Sequence, residues 1–323
     1  MWELHQLFGK QYRPGAPMRD LTTVAIGGPA GGLVVARTNE ELAEAIRFAR
    51  RESTDYLVLG GGSNLLVADE GIPHLVIKNE VAGIRRNGDI LTVSGGTMLQ
   101  DLVDYTIQNG LAGMQKLNGI PGTVGGAVYG NAGAYGQTIS DSLLDVLCFD
   151  GELTRTLAKD ECQFGYRSSL FKAKRWTVLE ARFRLEPADS QALAEQAESV
   201  LRQRIVKYPP GLKCSGSFFK NVIAAEVAPE SLALVPADKV LYGKIPAGYL
   251  LEQVGAKGRT KGDIWVSTAS ANLFVNRGAG SASDLLELAS ELALAVRERF
   301  GISLEPEVQI VGLPSPFASG ATP

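Results

Sequence analysis

Two glycine-rich segments of this sequence contain the residue types that bind phosphate groups. The first, GGGSNLLV, covers residues 60–67, and the second, GIPGTVGGAVYGNAGAYG, covers residues 119–136. Glycine reaches positive φ and lets other groups approach the backbone closely, so successive glycines present unobstructed N–H groups to a ligand. A phosphate is the usual ligand of such a run. The two segments therefore predict a site for a phosphorylated molecule.

The two segments together suit an extended ligand with two phosphates, such as a dinucleotide. In the first loop, Ser63 and Asn64 add a hydroxyl and an amide to the glycines. This loop is not a Walker loop, because no Lys-Ser/Thr pair follows, and it fails the Rossmann fingerprint, which requires a helix directly after it. Two alternatives remain open, a tight turn for the first loop and close packing of crossing strands for the second. The candidate cofactor-binding residues are Gly60, Gly61, Gly62, Ser63, Asn64, Gly119, Pro121, Gly122, Thr123, Gly125, Gly126, Asn131 and Gly133.

Three further motifs contain side chains that could take part in catalysis. YRSSLFK contains Arg167, whose planar fork can bind a carboxylate through two parallel hydrogen bonds. CSGSFFKN contains Ser217, and SLEPEVQIVG contains Glu305 and Glu307, which a strand would place on one face. Each has an ordinary structural alternative: a surface arginine, a serine that bonds its own turn, and a glutamate at a strand edge in water.

The segments that must position these motifs predict an α+β protein. Thr38 with Glu41 and Thr97 with Gln100 form predicted capping boxes at the start of two helices. Two more helices are predicted at 189–208, before Pro209-Pro210, and at 283–300, before Gly301. Strands are predicted at 33–37 and 56–60 and in HLVIK, ILTVSGG, LLDVLCF, GELTRTL, WTVLEARFRL, ANLFVN and SLEPEVQIVG. The predicted division is an N-terminal α/β lobe at 1–74, a second α+β lobe at 75–208, a substrate domain at 209–306, and a C-terminal strand and frayed tail at 307–323.

Composition narrows the class of protein. The chain has 323 residues, 45% of them hydrophobic, and a net charge of −3, which gives no general attraction to nucleic acid or anionic membranes. No apolar run approaches the roughly 18 residues that span a bilayer, and the N-terminus lacks the order of a signal peptide, so we expect a cytoplasmic protein. Cys148, Cys162 and Cys214 fit reduced thiols. His5 and His74 lie in no Cys/His cluster and are predicted on the surface, so the sequence predicts neither a metal site nor a Ser–His–Asp triad.

Six motifs in one order give the chain a resemblance to a known family. GGGSNLLV, GIPGTVGGAVYGNAGAYG, YRSSLFK, SGSFFKN, AGYLLEQVGAKG and LEPEV occur as in the UDP-N-acetylenolpyruvoylglucosamine reductases, and the resemblance runs from Leu21 to Gly312. It implies a three-lobed flavoenzyme with a vanillyl-alcohol-oxidase-type (PCMH-type) FAD-binding domain and a C-terminal α+β substrate domain. It also implies FAD as cofactor, NADPH as reductant, and reduction of the enolpyruvyl ether of UDP-N-acetylglucosamine in peptidoglycan precursor synthesis.

The resemblance also implies roles for individual residues. Arg167 would bind the substrate carboxylate, Ser217 rather than Ser215 would donate a proton, and Glu307 rather than Glu305 would be catalytic. Weaker matches, which are as compatible with solvated charges or structural polar groups, would line the substrate site: Tyr166, Lys207, Lys220, Asn221, Glu252 and Lys257.

The chain departs from the family pattern in a few places. Val222 replaces a usual proline, and Ser270 stands where the family often has histidine. The chain resembles the shorter subclass, without a tyrosine-containing insertion. Neither glycine loop contains histidine, so the FAD is expected to be bound non-covalently.

Two other functions stay open at this point. A related FAD-dependent sugar or alcohol oxidase would share the glycine loops but not YRSSLFK, SGSFFKN and LEPEV. A non-catalytic protein that binds flavin or a UDP-sugar would not need Arg167, Ser217 and Glu307 together. We expect a monomer without metal, and no motif in the sequence distinguishes NADPH from NADH.

Overall fold

A computed structural model describes residues 2–317 of the chain. Met1 and residues 318–323, which belong to the predicted tail, lie outside the described residues. The chain forms two compact units. The first consists of the N-terminal residues up to Ala16, Ala30–Gly61 and Pro73–Ile205, and the second consists of Pro17–Pro29, Gly62–Ile72 and the chain from Val206 onwards.

Helices and strands are both distributed along the described residues. The α-helices are α1 Trp2–Phe8, α2 Asn39–Arg51, α3 Leu99–Gln108, α4 Val124–Tyr129, α5 Leu170–Lys174, α6 Ser190–Lys207, α7 Pro229–Leu232, α8 Ala247–Gln253 and α9 Ala282–Phe300. The first strands are β1 Tyr12–Pro14, β2 Ala30–Ala36, β3 Tyr56–Leu59, β4 Leu65–Val67, β5 Ile72–Asn79, β6 Ile84–Asn87, β7 Ile90–Ser94, β8 Leu111–Ala112, β9 Gly133–Ala134 and β10 Gln137–Thr138. The remaining strands are β11 Leu143–Phe149, β12 Thr154–Ala158, β13 Thr177–Arg184, β14 Glu186–Pro187, β15 Cys214–Ser217, β16 Val222–Ile223, β17 Lys244–Ile245, β18 Thr260–Lys261, β19 Ile264–Val266, β20 Leu273–Asn276 and β21 Gln309–Val311.

The first unit contains two larger sheets. One has the strand order β1-β2-β5-β3, in which β3 runs parallel to β5, and its apolar core includes Leu42, Ile46 and Ile77. The other has the order β12-β11-β13-β7-β6 and is antiparallel throughout. Helices α3 and α4 pack their buried residues into the core of this second sheet, which includes Leu102 and Val124.

The second unit is built around a four-stranded sheet in the order β15-β20-β19-β18. Helices α8 and α9 contribute leucines to one apolar core with the sheet, and four phenylalanines meet within that core. Strand β21 pairs in parallel with β4, which joins the C-terminal part of the chain to the segment after the first glycine loop. No helix among the described residues is both long and apolar enough to cross a membrane.

Most predicted elements are confirmed. Thr38 caps α2 by accepting a hydrogen bond from the Glu41 N–H, α6 ends at Lys207, and Gly301 ends α9 with a φ of +66°. The predicted cap at Thr97 is wrong: α3 begins after Met98, because the Thr97 hydroxyl is engaged with the backbone of Gly83 instead.

Three other local predictions also differ from the structure. Glu305 and Glu307 precede β21, which begins only at Gln309, so they share no strand face. The second glycine segment is not all loop, because α4 forms within it after the Thr123 cap. His74, predicted on the surface, is half-buried inside β5.

The compact units are not continuous stretches of sequence. Residues 17–29 and 62–72 fall within the predicted first lobe, yet their contacts assign them to the second unit. The parallel pairing of Leu66 in β4 with Ile310 in β21 is one physical reason, since that pair is far apart in sequence. The predicted lobe boundaries at residues 74, 208 and 306 remain predictions.

Candidate active site

In the first unit, the two glycine-rich segments touch each other. A Cβ atom at Gly61 would lie 2.6 Å from the Cα of Gly122, and a Cβ atom at Gly60 would collide with the Thr123 hydroxyl. Gly60 and Gly61 are therefore required by contacts within the protein itself. The consequence is that two segments far apart in sequence meet at a point where neither carries a large side chain.

The point where these segments meet presents unused backbone donors. Among the described residues, no hydrogen bond uses the backbone N–H of Gly61, Gly122 or Thr123. Later in the second glycine-rich segment, the Asn131 side chain is buried, and its Oδ1 atom has no hydrogen-bond partner in the described residues. Buried polar atoms are normally satisfied, so unused groups of this kind fit a bound polar molecule. The residues present thus fit the diphosphate of a dinucleotide.

Gly126 differs from the glycines that pack against backbone. It is exposed at the start of α4, and a Cβ atom there would have only an ordinary contact, 3.5 Å from the Thr123 hydroxyl. By contrast, a Cβ atom at Gly125 would lie 2.8 Å from the Gly95 carbonyl oxygen. Gly126 is therefore a glycine that the protein's own packing does not require, and a ligand would give a reason for it.

Arg167 is held against the second glycine-rich segment. Its guanidinium donates hydrogen bonds to the carbonyls of Asn131, at 3.5 Å, and Gly133, at 2.9 Å. The Asn131 amide in turn donates to the Gly165 carbonyl at 2.9 Å. Arg167 and Asn131 both have left-handed backbones, with φ of +55° and +44°. Such conformations cost free energy in non-glycine residues and persist where surrounding contacts impose them, often at functional sites.

A second set of contacts fixes the segment that carries Arg167. Ser169 caps α5 and donates its hydroxyl proton to the Tyr129 carbonyl at 2.7 Å. The Lys172 ammonium donates to the Arg167 carbonyl at 3.2 Å, and the Arg167 guanidinium lies 5.4 Å from the centre of the Tyr166 ring. The predicted residues Tyr166, Arg167, Asn131 and Gly133 are thus brought together in the first unit.

Lys78 is a cation beside the first glycine loop that the sequence reasoning did not identify. It lies on β5, and its ammonium donates to the Gly60 carbonyl at 2.5 Å. Burial lowers the pKa of Lys78 below the ordinary lysine value. Its only signal in the sequence was a lysine at the end of an apolar strand, which alone does not indicate proximity to the loop.

In the second unit, Ser217 ends strand β15 and its hydroxyl is hydrogen-bonded. The Ser217 Oγ lies 2.9 Å from the Tyr208 hydroxyl oxygen. Gly216, with a φ of +80°, lies at an irregularity in the β15–β20 pairing, between buried Ser215 and half-buried Ser217. The next residue, Phe218, is fully buried. The half-buried serine is therefore followed directly in the chain by residues of the aromatic core.

Glu307 is placed next to this serine segment by backbone pairing. Its N–H donates to the Phe218 carbonyl at 2.7 Å, and Phe219 forms an isolated bridge with Pro306. The Glu307 carbonyl accepts a hydrogen bond from the Asn64 amide at 3.1 Å. Two predicted catalytic residues of the second unit, Ser217 and Glu307, are thus on adjacent, hydrogen-bonded segments.

The part of the first glycine loop that belongs to the second unit is also tightly packed. Gly62 has a φ of +65°, and a Cβ atom there would collide with the Leu21 carbonyl. Its own carbonyl accepts a hydrogen bond from the Thr23 N–H at 3.1 Å. Ser63 and Asn64 follow directly, and Asn64 is fixed by Glu307 and by the Gln309 N–H, which donates to the Asn64 carbonyl at 3.0 Å.

The weaker substrate predictions fall on residues that already have local partners. Lys220 forms an ion pair with Glu305 at 2.5 Å, and Lys257 forms one with Glu252 at 2.7 Å. The Asn221 side-chain oxygen accepts a hydrogen bond from the Ala247 N–H at the start of α8. Lys207 lies with its ammonium 5.1 Å from the centre of the Tyr208 ring. Their roles toward a substrate stay predictions.

The described residues contain no group of three or more histidines, cysteines and carboxylates that would hold a metal ion. The cysteines are free thiols. Burial is the main cause that raises the pKa of Cys148 to about 11 and of Cys162 to about 12, so neither is a reactive thiolate at neutral pH.

Models of known protein families match two segments of this chain. A family model described as the C-terminal domain of UDP-N-acetylenolpyruvoylglucosamine reductase matches residues 208–311, and one described as an FAD binding domain matches residues 30–156. The second match covers both glycine-rich segments in full. The first match covers the segments that carry Ser217 and Glu307.

Relatives over nearly the whole chain have the same name. The UDP-N-acetylenolpyruvoylglucosamine reductase of Solibacter usitatus is 42% identical over 92% of this chain and 95% of its own length. The Bacillus subtilis protein of that name is 33% identical over 92% of both chains. The crystal structure of UDP-N-acetylenolpyruvylglucosamine reductase from Thermus caldophilus superposes with a TM-score of 0.74, at 34% identity, over 92% of this chain and 97% of that one.

Proposed function

Since this chain belongs to the UDP-N-acetylenolpyruvoylglucosamine reductase family, we propose that it reduces the enolpyruvyl ether of UDP-N-acetylglucosamine to UDP-N-acetylmuramate. It is an FAD-dependent oxidoreductase with a PCMH-type α+β fold for its FAD-binding domain. In this proposal, NADPH is the reductant and FAD is bound non-covalently. The protein acts as a monomer in the cytoplasm. The observation that carries it is the backbone pairing that sets Glu307 beside the Ser217 segment.

FAD would be held by the glycine-rich loops. Unused N–H groups at Gly61, Gly122 and Thr123 are available to its diphosphate, and Lys78 adds a positive charge beside the first loop. Asn131 offers a buried side-chain oxygen to the cofactor. The chemistry that bound FAD supplies is hydride transfer from a reduced nicotinamide to the methylene carbon of the substrate.

The protein's own side chains must stabilise the negative charge that hydride addition creates on the substrate. The carbon beside the substrate carboxylate becomes enolate-like and has to be protonated, so groups that match this charge accelerate the reaction more than groups that match the substrate. In our proposal, Arg167 binds the carboxylate, and its contacts with two backbone carbonyls hold the guanidinium plane in a fixed orientation.

Ser217 is the proposed proton donor to the enolate-like carbon. A serine hydroxyl is a weak acid, but a developing carbanion is a strong base, and a dry site favours direct transfer between them. In our proposal, the buried rings of Phe218 and Phe219, which follow Ser217 in the chain, limit the access of water to the site. Glu307 is the third proposed catalytic residue and would stabilise the enolate as its charge develops.

The direct test is to purify the protein and supply both substrates. The protein should be yellow and should release free FAD on denaturation. With NADPH and the enolpyruvyl ether under anaerobic conditions, mass spectrometry should detect UDP-N-acetylmuramate. A colourless protein that takes up no FAD would contradict the proposal. Rapid flavin reoxidation by oxygen without turnover of the UDP-sugar would favour the alternative of an FAD-dependent sugar or alcohol oxidase.

A further inference from the structure

Tyr208 is the hydrogen-bond partner of the Ser217 hydroxyl. Their oxygens lie 2.9 Å apart within the second unit, and either oxygen can be the donor. Tyr208 directly follows the end of α6 and precedes Pro209-Pro210, which fixes the backbone direction after the helix. The tyrosine is half-buried and is therefore within reach of solvent protons.

A serine that gives up its proton needs a way to recover it. An alkoxide is a very strong base and is strongly disfavoured at a half-buried position, and Phe218, the next residue in the chain, offers no polar side chain. A phenol is a much stronger acid than an aliphatic alcohol, so Tyr208 can return a proton to Ser217 as Ser217 donates its own. The Lys207 ammonium lies 5.1 Å from the centre of the tyrosine ring, so a positive charge is close to the ring that would carry the phenolate.

We propose that Tyr208 is a positioning residue that orients the Ser217 hydroxyl and passes it a proton from solvent. The inference rests on the proposed role of Ser217 as proton donor. The Ser217 O–H bond breaks as the new C–H bond forms on the substrate. In the same step the Tyr208 O–H bond breaks as the Ser217 O–H bond is restored, and water then returns a proton to the phenolate. No oxidant, reductant or further reactant is required, and the net proton comes from solvent.

The test measures the two halves of the reaction separately in Tyr208→Phe. This change removes one oxygen and keeps the ring, so the packing is preserved. Reduction of the flavin by NADPH should proceed at the wild-type rate, whereas anaerobic reoxidation by the enolpyruvyl ether should slow by about 10- to 100-fold.

Reoxidation rates are also measured in mixtures of H₂O and D₂O. A plot of the wild-type reoxidation rate against the deuterium fraction of the solvent should be curved, because two protons move together. The same plot for Tyr208→Phe should be a straight line. A merely structural role for Tyr208 would not straighten that curve.

The controls separate failure of this inference from failure of the proposed function. Tyr242→Phe removes a hydroxyl from a side chain that is 87% exposed and should leave both halves unchanged. If Ser217→Ala slows reoxidation while Tyr208→Phe does not, the relay is wrong and the role of Ser217 stands. If Ser217→Ala leaves reoxidation unchanged, the proposed donor is wrong and the relay falls with it. A straight line for the wild-type enzyme would overturn the relay without any variant.

Discussion

The backbone N–H of Glu307 donates a hydrogen bond to the Phe218 carbonyl at 2.7 Å. The residue after Ser217 is therefore bonded directly to Glu307, the candidate catalytic carboxylate. This contact joins two parts of the chain that lie about ninety residues apart in sequence. It gives Ser217 and Glu307 a fixed backbone relationship that does not depend on the conformation of either side chain.

Gly126→Leu separates a cofactor role for glycine from a folding role. Because a Cβ atom at Gly126 meets only an ordinary contact, the fold should tolerate a larger side chain there. If FAD lies against this position, flavin occupancy should fall strongly while the melting temperature of the FAD-free protein stays within a few degrees of wild type. Absorbance at the flavin band per protein and thermal unfolding are the two measurements.

Gly61→Val and Gly125→Val are the companions of that variant. Both should also lose flavin, but their Cβ atoms meet backbone at 2.6 and 2.8 Å, so they should lower the melting temperature as well. Full flavin absorbance in Gly61→Val, Gly125→Val and Gly126→Leu would count against placing FAD on these loops.

Arg167→Lys should reduce turnover more than conservation of charge suggests. Lysine keeps the positive charge but loses the planar fork and the paired contacts with the carbonyls of Asn131 and Gly133. We expect a loss on the order of 10²-fold in kcat, as for a contact made in the transition state. Steady-state kinetics with NADPH measure it, and wild-type turnover would remove Arg167 from the site. Arg175→Lys is the matched control, since Arg175 is exposed nearby in sequence and shares the positive φ, at +56°.

Asp150 gives a pH-dependent contribution to stability. Its carboxylate accepts hydrogen bonds from the N–H groups of Leu153 and Glu152 and from the Arg155 side chain, which together lower its pKa to about 2. Since the pKa is lower in the folded than in the unfolded chain, the stabilisation is complete above about pH 4 and is lost as the pH falls through about 2. Asp150→Asn should cost about 1 kcal/mol at pH 7 and progressively less toward pH 2. Denaturant unfolding at several pH values measures this difference, and a difference that does not change with pH would contradict the assignment.

Local patterns in the sequence predicted most of the elements, because capping and periodicity depend on neighbouring residues. Thr38 caps its helix as predicted, and Gly301 ends α9. Thr97 has the same local pattern as Thr38, but a tertiary contact with Gly83 takes its hydroxyl away from the helix. A capping pattern cannot reveal that competition, since Gly83 reaches Thr97 only in the folded chain.

In the candidate site, too, sequence motifs indicated individual residues, whereas their contacts form only in the folded chain. Arg167, Ser217 and Glu307 were identified from motifs, whereas their hydrogen-bond partners were not. Tyr208 and Lys78 are ordinary residues in the sequence, and only the fold places them against Ser217 and Gly60. The resemblance to a family supplied the expected chemistry, and the structure supplied the contacts through which individual residues would perform it.

The most direct test of the account is anaerobic stopped-flow kinetics at the flavin band for Ser217→Ala. Reduction by NADPH uses no substrate proton and should keep a near-normal rate, while reoxidation by the enolpyruvyl ether should slow by several orders of magnitude. Ser217→Cys should restore part of that rate, because a thiol is acidic and nearly the same size. Ser215→Ala, on the same strand, should change neither half. Equal slowing of both halves in Ser217→Ala would indicate a structural role, and no slowing of reoxidation would show that another residue donates the proton.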